Sequence, residues 1–276
     1  MKYRFLCTGL VLAVGVTGGV ASAGPIAHWS MDETAGAPAA IDSVGGADAV
    51  AMVADGGNLP VAGAVGVLGG AWSFDGSNDA HLNAPPPTQS AFTTLGLANG
   101  GFSYSGWVNT TNASGADTIF SISDAAAGSE EAALRLVDGS LNFLGRHNGL
   151  DNVEIAGSPV SNGEWRHVAV TSGPGGTVIY LDGAPDGNSP FGVDIATFTT
   201  NDGNVSVNFG ANNDNGGGLQ WEYIGLIDEF TVYNSVLTPD QVRFLSTNPG
   251  AIVPEPTGLA LATMLAALCG LRRSRG

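Results

Sequence analysis

The side chains in this sequence able to do chemistry are mainly carboxylates and indoles. Asp228 lies in GLIDEFTVYNSVLT, Gly225–Thr238. Read as a strand, this stretch alternates its side chains between two faces, placing Asp228 with Leu226, Phe230 and Val232 and leaving Ile227, Glu229, Thr231 and Tyr233 on the other side. A carboxylate on the apolar parity is costly to bury unless a positive group meets it. Cations are scarce here, so a bound metal ion is the leading expectation; capping of backbone amides and pairing with an arginine are the alternatives. Trp107 has the parity opposite to Phe102 and Tyr104. It is expected to face out of its sheet, where an indole can stack on the C–H face of a sugar ring. Trp221, beside the loop Asn212-Asn213-Asp214-Asn215, is the second such candidate, with Asn213 and Asp214 as hydroxyl partners. Packing of both indoles beneath loops is the equal alternative.

Arrangements suited to catalysis are poor. Asp228 and Glu229 are neighbours, so a regular strand sends them to opposite faces and they cannot flank one glycosidic bond. Glu130-Glu131 shares that fault and is expected in a loop. Gly101-Phe102-Ser103-Tyr104-Ser105 lacks the final glycine of a nucleophile elbow. The histidines at 28, 81, 147 and 167 show no paired zinc spacing. Lys2 is the sole lysine and lies in the N-terminal segment, which excludes a phosphate-binding loop and a lysine Schiff base. No enzymatic activity is expected.

These residues depend on many short strands for their positions. Strands are expected at Ile26–Met31, Ala49–Val53, Ala71–Phe74, His81–Leu82, Phe102–Asn109, Thr118–Ser123, Leu134–Val137, Ser140–Leu144, Trp165–Ser172, Thr177–Leu181, Val205–Gly210 and Trp221–Tyr233. The rest of Thr34–Gly70 reads as a long Ala/Gly-rich loop. Asp138-Gly139 and Gly173-Pro174-Gly175-Gly176 mark tight hairpins. Thr238-Pro239-Asp240-Gln241 is a capping box with proline at the first helical position, predicting one short helix over Pro239–Ser246. The pattern is that of an all-β, antiparallel two-sheet sandwich.

Both ends read as sorting signals. Met1–Ala23 has Lys2 and Arg4, the apolar run Leu10–Val16 and Ala21-Ser22-Ala23, the order of a secretory signal peptide. The expected division is a signal at residues 1–23, one domain at 24–248 and a tail at 249–276. Of 9 Lys+Arg and 25 Asp+Glu, the domain keeps Arg135, Arg146, Arg166 and Arg243, for a net charge of about −20. Such a field repels phosphate backbones and excludes nucleic acid as a partner, while favouring divalent cations. Both cysteines, Cys7 and Cys269, lie in the end segments, so the domain has no disulfide.

Six stretches, taken in order, resemble the LamG-like, concanavalin A-like lectin/glucanase family. They are AWSFDGSNDAHLN (Ala71–Asn83), FSYSGWVN (Phe102–Asn109), LRLVDGSLNF (Leu134–Phe143), GEWRHVAVT (Gly163–Thr171), TVIYLDG (Thr177–Gly183) and GLIDEFTVYNSVLTPDQV (Gly225–Val242). The resemblance implies a jelly roll of two curved antiparallel sheets. It also implies a structural Ca²⁺ held by an acid of the last strand, the position of Asp228, with Asp32 and Asp75 contributing oxygens from the early segments. The carboxylate row E-x-D-x-x-E of a glycosidase on this fold is absent. The end of the chain resembles a PEP-CTERM sorting signal: Val253-Pro254-Glu255-Pro256, the apolar Leu259–Leu271, and Arg272-Arg273-Ser274-Arg275. That implies an exosortase-type partner and a Gram-negative outer surface or extracellular matrix, often with exopolysaccharide. The expectation is therefore an exported, non-catalytic module binding an extracellular polysaccharide or surface glycan. A structural or adhesion protein binding another protein is the alternative, and a glycoside hydrolase with an unfamiliar site is a third.

Overall fold

The computed structural model describes residues 24–53, 56–84, 88–124, 130–147, 150–198, 205–213 and 219–253. Its strands begin with β1 (Pro25–Trp29), β2 (Ala39–Ala40), β3 (Ala49–Met52), β4 (Val61–Val65), β5 (Gly70–Asp75) and β6 (His81–Ala84). The middle of the chain supplies β7 (Phe102–Asn109), β8 (Ala116–Ser123), β9 (Glu131–Val137), β10 (Ser140–His147) and β11 (Leu150–Pro159). There follow β12 (Arg166–Gly173), β13 (Gly176–Leu181), β14 (Ala184–Ser189), β15 (Ser206–Phe209), β16 (Ile224–Tyr233) and the helix α1 (Pro239–Thr247).

They form two antiparallel sheets. The first runs β14-β13-β12-β7-β16-β5-β4, with β1 also on β16; the second runs β11-β10-β9-β8-β15-β6-β3-β2. Facing side chains fill the space between them. Trp29 lies at the centre, edge-on to Phe209 at 4.9 Å between ring centres, and its indole N–H donates to Ala47 O at 2.9 Å. Phe120 and Phe230 continue the stack at 4.7 Å. Gly106 is fitted to this core: a Cβ there would lie 2.3 Å from the Phe230 ring.

The turns follow their chemistry. Asp138-Gly139 and Asp182-Gly183 all have positive φ, the geometry that matches a two-residue hairpin to strand twist. Helix α1 carries the full capping box: Thr238 Oγ1 accepts from Gln241 N, and Gln241 Oε1 accepts from Thr238 N at 2.7 Å. Val242 and Leu245 pack with Tyr180, Tyr233, Leu237 and Val253 on the outer side of the first sheet. The folded body thus continues beyond Asn248 to Val253, whose N–H donates to Tyr233 Oη at 3.3 Å.

Several sequence expectations are corrected. Thr34–Gly70 is not one loop with a single strand; it contains β2, β3 and β4. Strand β4, VAGAV, has side chains too small to display periodicity. β14, APDGNS, holds the proline, aspartate and glycine that normally signal a turn, which an edge strand tolerates. Glu130-Glu131 does not lie in an open loop: Glu131 opens β9 and both residues are fully buried.

Candidate functional site

Strand β16 sets the site. Its first half pairs with β5, from Ile224 opposite Asp75 to Ile227 opposite Trp72; its second half pairs with β1, from Phe230 opposite Trp29 to Tyr233 opposite Pro25. Where the neighbour changes, the register against β7 slips between Asp228 and Thr231, and Glu229 takes φ +49. This β-bulge resets the alternation. Ile227 and Phe230 both enter the core. Asp228 pairs with the outward-facing Trp107, and Thr231 with Ser105. The parity that grouped Asp228 with Phe230 and Val232 is therefore corrected: Asp228 is fully buried, but on the outer side of the first sheet. The expectation that Asp228 and Glu229 face opposite ways is corrected too, since the bulge turns both outward.

What buries Asp228 is the turn joining β4 to β5. Its Oδ2 accepts from Val67 N at 2.8 Å and Leu68 N at 3.2 Å. Oδ1 is buried without a hydrogen-bond partner among the described residues. Asp32 grips the same turn from the other side, Oδ1 accepting from Gly70 N at 2.7 Å. The turn fits because it lacks side chains where the acids come close. A Cβ on Gly66 would meet Gly70 O at 1.9 Å and Asp228 Oδ2 at 2.5 Å; one on Gly69, which has φ +67, would meet Asp32 Oδ1 at 2.1 Å. Burial pushes the Asp228 carboxyl up to about 7, with Asp32 adding to the rise. Glu229 is likewise pushed up to about 7, by burial first and then by Asp228 and Asp32.

Asp75 stands apart from this corner. It lies at the opposite end of β5 from Gly70, roughly 17 Å away at about 3.3 Å per residue. It is exposed, accepting from Asn58 Nδ2 at 2.8 Å and Ser77 N at 2.9 Å. The structure brings Asp228 and Asp32 to one turn and leaves Asp75 elsewhere. Among the described residues no group of three or more His, Cys, Asp or Glu side chains is gathered as a metal set. A cation between Asp228 and Asp32 would have to complete its shell with backbone carbonyls or water. Such a mixed oxygen shell suits Ca²⁺, and the unpartnered Asp228 Oδ1 fits it.

Beside the bulge, the outer face holds a small polar cavity lined by Ser105, Trp107, His167, Glu229 and Thr231 and covered by Leu245, Asn248, Gly250 and Ala251. Ser105 Oγ and His167 Nε2 are 2.9 Å apart. Burial pushes the His167 imidazole down to about 4, so it is neutral at pH 7. His28 Nε2 is 3.5 Å from Glu229 Oε2, and its Nδ1 is 2.9 Å from Thr231 Oγ1. Trp107 is half-buried, its ring edge-on to His167 at 5.3 Å. The helix and the residues after it therefore close over this face.

Trp221 is on the opposite face of the molecule. Its φ is +60, its carbonyl accepts from Thr118 N at 2.7 Å, and the Arg135 guanidinium carbon lies 5.0 Å from its ring centre. Leu134 and Leu136 enter the core, so Arg135 faces out of the second sheet; it donates through Nε to Asn142 Oδ1 at 2.8 Å and through Nη2 to Glu154 Oε1 at 2.9 Å. Asn212 and Gln220 exchange backbone hydrogen bonds at the base of the adjoining loop. Asn212 Nδ2 also donates to Glu131 Oε2, while Glu131 Oε1 lies 3.1 Å from Arg146 Nη1. Trp221 is half-exposed, as is Asn213; Asp214 lies outside the described residues. Trp107 and Trp221 thus cannot serve one site. No local pattern signals the pairing of Trp221 with Arg135, because the two residues are far apart along the chain. It also missed Asp42, whose carboxylate accepts from the N–H groups of His28, Val44, Gly45 and Ala47 and pins the turn after β2.

The family model of the concanavalin A-like lectin/glucanases superfamily matches residues 75–243. No curated protein sequence matches the chain. Among solved structures, domain 4 of AbnA, a GH43 extracellular arabinanase from Geobacillus stearothermophilus, in complex with arabinotriose, is similar with a TM-score of 0.60. It is 22% identical, over 82% of this chain and 99% of that one. The Ruminococcus gnavus IT-sialidase CBM40 bound to α2,3-sialyllactose gives 0.52 at 12% identity, over 72% of this chain and 96% of that one. The binding domain of botulinum neurotoxin serotype G gives 0.55 at 17% identity, over 81% of this chain and 50% of that one. At these identities the likeness is one of fold.

Proposed function

We propose that this chain, which belongs to the concanavalin A-like lectin/glucanase superfamily, is a non-catalytic module that binds a neutral glycan on the outer face of its second sheet. The observation that carries the reading is Trp221. A half-exposed indole, held in a left-handed backbone conformation and backed by Arg135, offers one ring face for a sugar to stack on. Asn213, half-exposed and next to the Asn212–Gln220 bridge, offers one amide for a hydroxyl group. Two of the fold neighbours are named with bound oligosaccharides, the neutral arabinotriose and the acidic sialyllactose, which supports an oligosaccharide ligand without choosing between neutral and acidic sugars. The domain's acid excess argues for an uncharged sugar: among the described residues, Glu131 and Glu154 already offset Arg146 and Arg135 on this face. Against catalysis, Asp228 and Glu229 are buried beneath a turn and the C-terminal residues, where no polysaccharide chain reaches them.

A structural calcium ion belongs to the same proposal. Asp228 Oδ1 and Asp32 would hold it against the Gly66–Gly70 turn, and its role would be to neutralise a buried carboxylate and brace β4–β5 against β16. Met1–Ala23 and the residues after Val253 lie outside the described residues. Their sequence supports export and, through the Pro-Glu-Pro tail, handling by an exosortase-type enzyme, for a module working at an outer surface or in a matrix.

A glycan array probed with the full chain, with and without chelator, tests the reading. Binding to one or more neutral glycans and not to acidic ones is the expected result. A folded protein that binds no glycan would remove the lectin function.

A further inference from the structure

Arg135 puts a cation beside the sugar platform, and its contacts form a pattern that stacking on Trp221 does not require. The Nε and Nη2 atoms make up one edge of a guanidinium, an edge that can grip a carboxylate with two parallel hydrogen bonds. Here the protein itself fills that edge: Nε donates to Asn142 Oδ1 at 2.8 Å and Nη2 to Glu154 Oε1 at 2.9 Å. The two acceptors differ in their freedom. Asn142 is buried and sits directly opposite Arg135 in the β9–β10 register. Glu154 lies one strand further out, on β11, and its side chain is 59% exposed against 8% for that of Arg135. The other ion pair of this face is built the opposite way, with the Glu131 side chain fully buried and Arg146 the more exposed member. Of the two acids, Glu154 is therefore the one that meets solvent next to the guanidinium backing Trp221.

We propose, resting on the glycan-binding function, that Glu154 is the residue that reserves this face for neutral sugars. It acts as a tethered competitor. By holding Nη2 it takes the hydrogen bond that a ligand carboxylate would need, and its charge repels such a group. The distances allow this. The guanidinium carbon is 5.0 Å from the Trp221 ring centre, so a sugar on the free face of the indole lies within about 10 Å of the cation, the reach of a charge at moderate salt. A carboxylate on that sugar, or on its neighbour in the chain, would feel the pair. Arg135 is also in need of an anion. Burial pushes its pKa down, and Glu131 and Glu154 oppose the fall. With Glu154 gone, a partly desolvated cation would keep a free donor for an acid from outside. Glu222, adjacent to Trp221 in sequence, is turned elsewhere and accepts from Asp79 N at 3.4 Å.

Affinities of the full chain for matched neutral and acidic oligosaccharides, such as a neutral chain and its sialylated or uronate-bearing counterpart, test this. Glu154→Gln, which keeps the shape and removes the charge, and Glu154→Ala, which vacates Nη2, should each raise the ratio of acidic to neutral affinity by at least about tenfold, with unchanged circular dichroism. Glu222→Gln should leave that ratio as in wild type. Folded Glu154 variants that bind neutral chains and still reject acidic ones as wild type does would overturn the proposal. An equal relaxation in Glu222→Gln would overturn it too, by assigning the discrimination to the overall acid field. A wild type that binds acidic and neutral chains alike overturns it while leaving glycan binding in place. A folded wild type that binds no glycan removes the lectin function, and this proposal with it.

Discussion

Asp228 and Glu229 owe their surroundings to one backbone angle, φ +49 at residue 229. The bulge turns two adjacent carboxyls to one side, where burial pushes both up to about 7. In the ion-free protein the folded state keeps protons that the unfolded chain releases above about pH 4. Stability from this source is therefore full below about pH 4 and is lost as the pH rises toward 7. His167, pushed down to about 4 by burial, acts in the opposite sense, losing stability as the pH falls from about 6.5 to 4. Comparing wild type with Asp228→Asn at each pH isolates the first effect. In chelator, the variant should melt higher than wild type at about pH 8 and close to it at about pH 4. Calcium should then raise the melting temperature of wild type alone, by preferential binding to the folded state. An equal response of both proteins would put the ion, if there is one, away from Asp228. That Asp228 stands out was legible, although the inward parity that singled it out is overturned by the bulge. Which side of the sheet it faces was not, because a glutamate carries none of the signals by which a glycine or asparagine announces a left-handed residue.

The elements hold this corner through residues whose small size is their function. Gly69→Ala would drive a methyl to 2.1 Å from Asp32 Oδ1 at a φ unfavourable to alanine; a loss of about 1–3 kcal/mol in chemical denaturation is expected. Gly106→Ala, whose Cβ would strike the Phe230 ring, should cost a similar amount, about 1–3 kcal/mol. Thr238→Ala removes the acceptor for Gln241 N and should cost about 1 kcal/mol. If that last variant were as stable as wild type, α1 would be held by Val242 and Leu245 alone. Elements with strong local chemistry could be read before folding: the Asp-Gly hairpins, the alternating β7 and the capped helix. Those chosen by tertiary position could not. β4 has a strand's place but a loop's composition, and β14 has a turn's residues in an edge strand. The two-neighbour arrangement of β16 depends on pairing alone, which no local pattern reveals.

At the scale of the molecule, the sandwich separates its two outward indoles. The face bearing Trp107 is covered by α1 and the residues through Val253; the face bearing Trp221 is backed by Arg135 and flanked by the Asn212–Gln220 bridge. The sequence named both tryptophans, and only the assembled sheets assign them to different surfaces. The acid excess is also a whole-molecule property, and it is the ground on which an uncharged ligand is proposed. The most direct measurement is a binding isotherm for a neutral oligosaccharide identified on the array, taken with Trp221→Ala and Trp107→Ala beside wild type. Trp221→Ala should lose at least about tenfold in affinity with an unchanged melting temperature, while Trp107→Ala should melt lower and bind as wild type does. Intact binding by Trp221→Ala, with loss in a stably folded Trp107→Ala, would contradict the account.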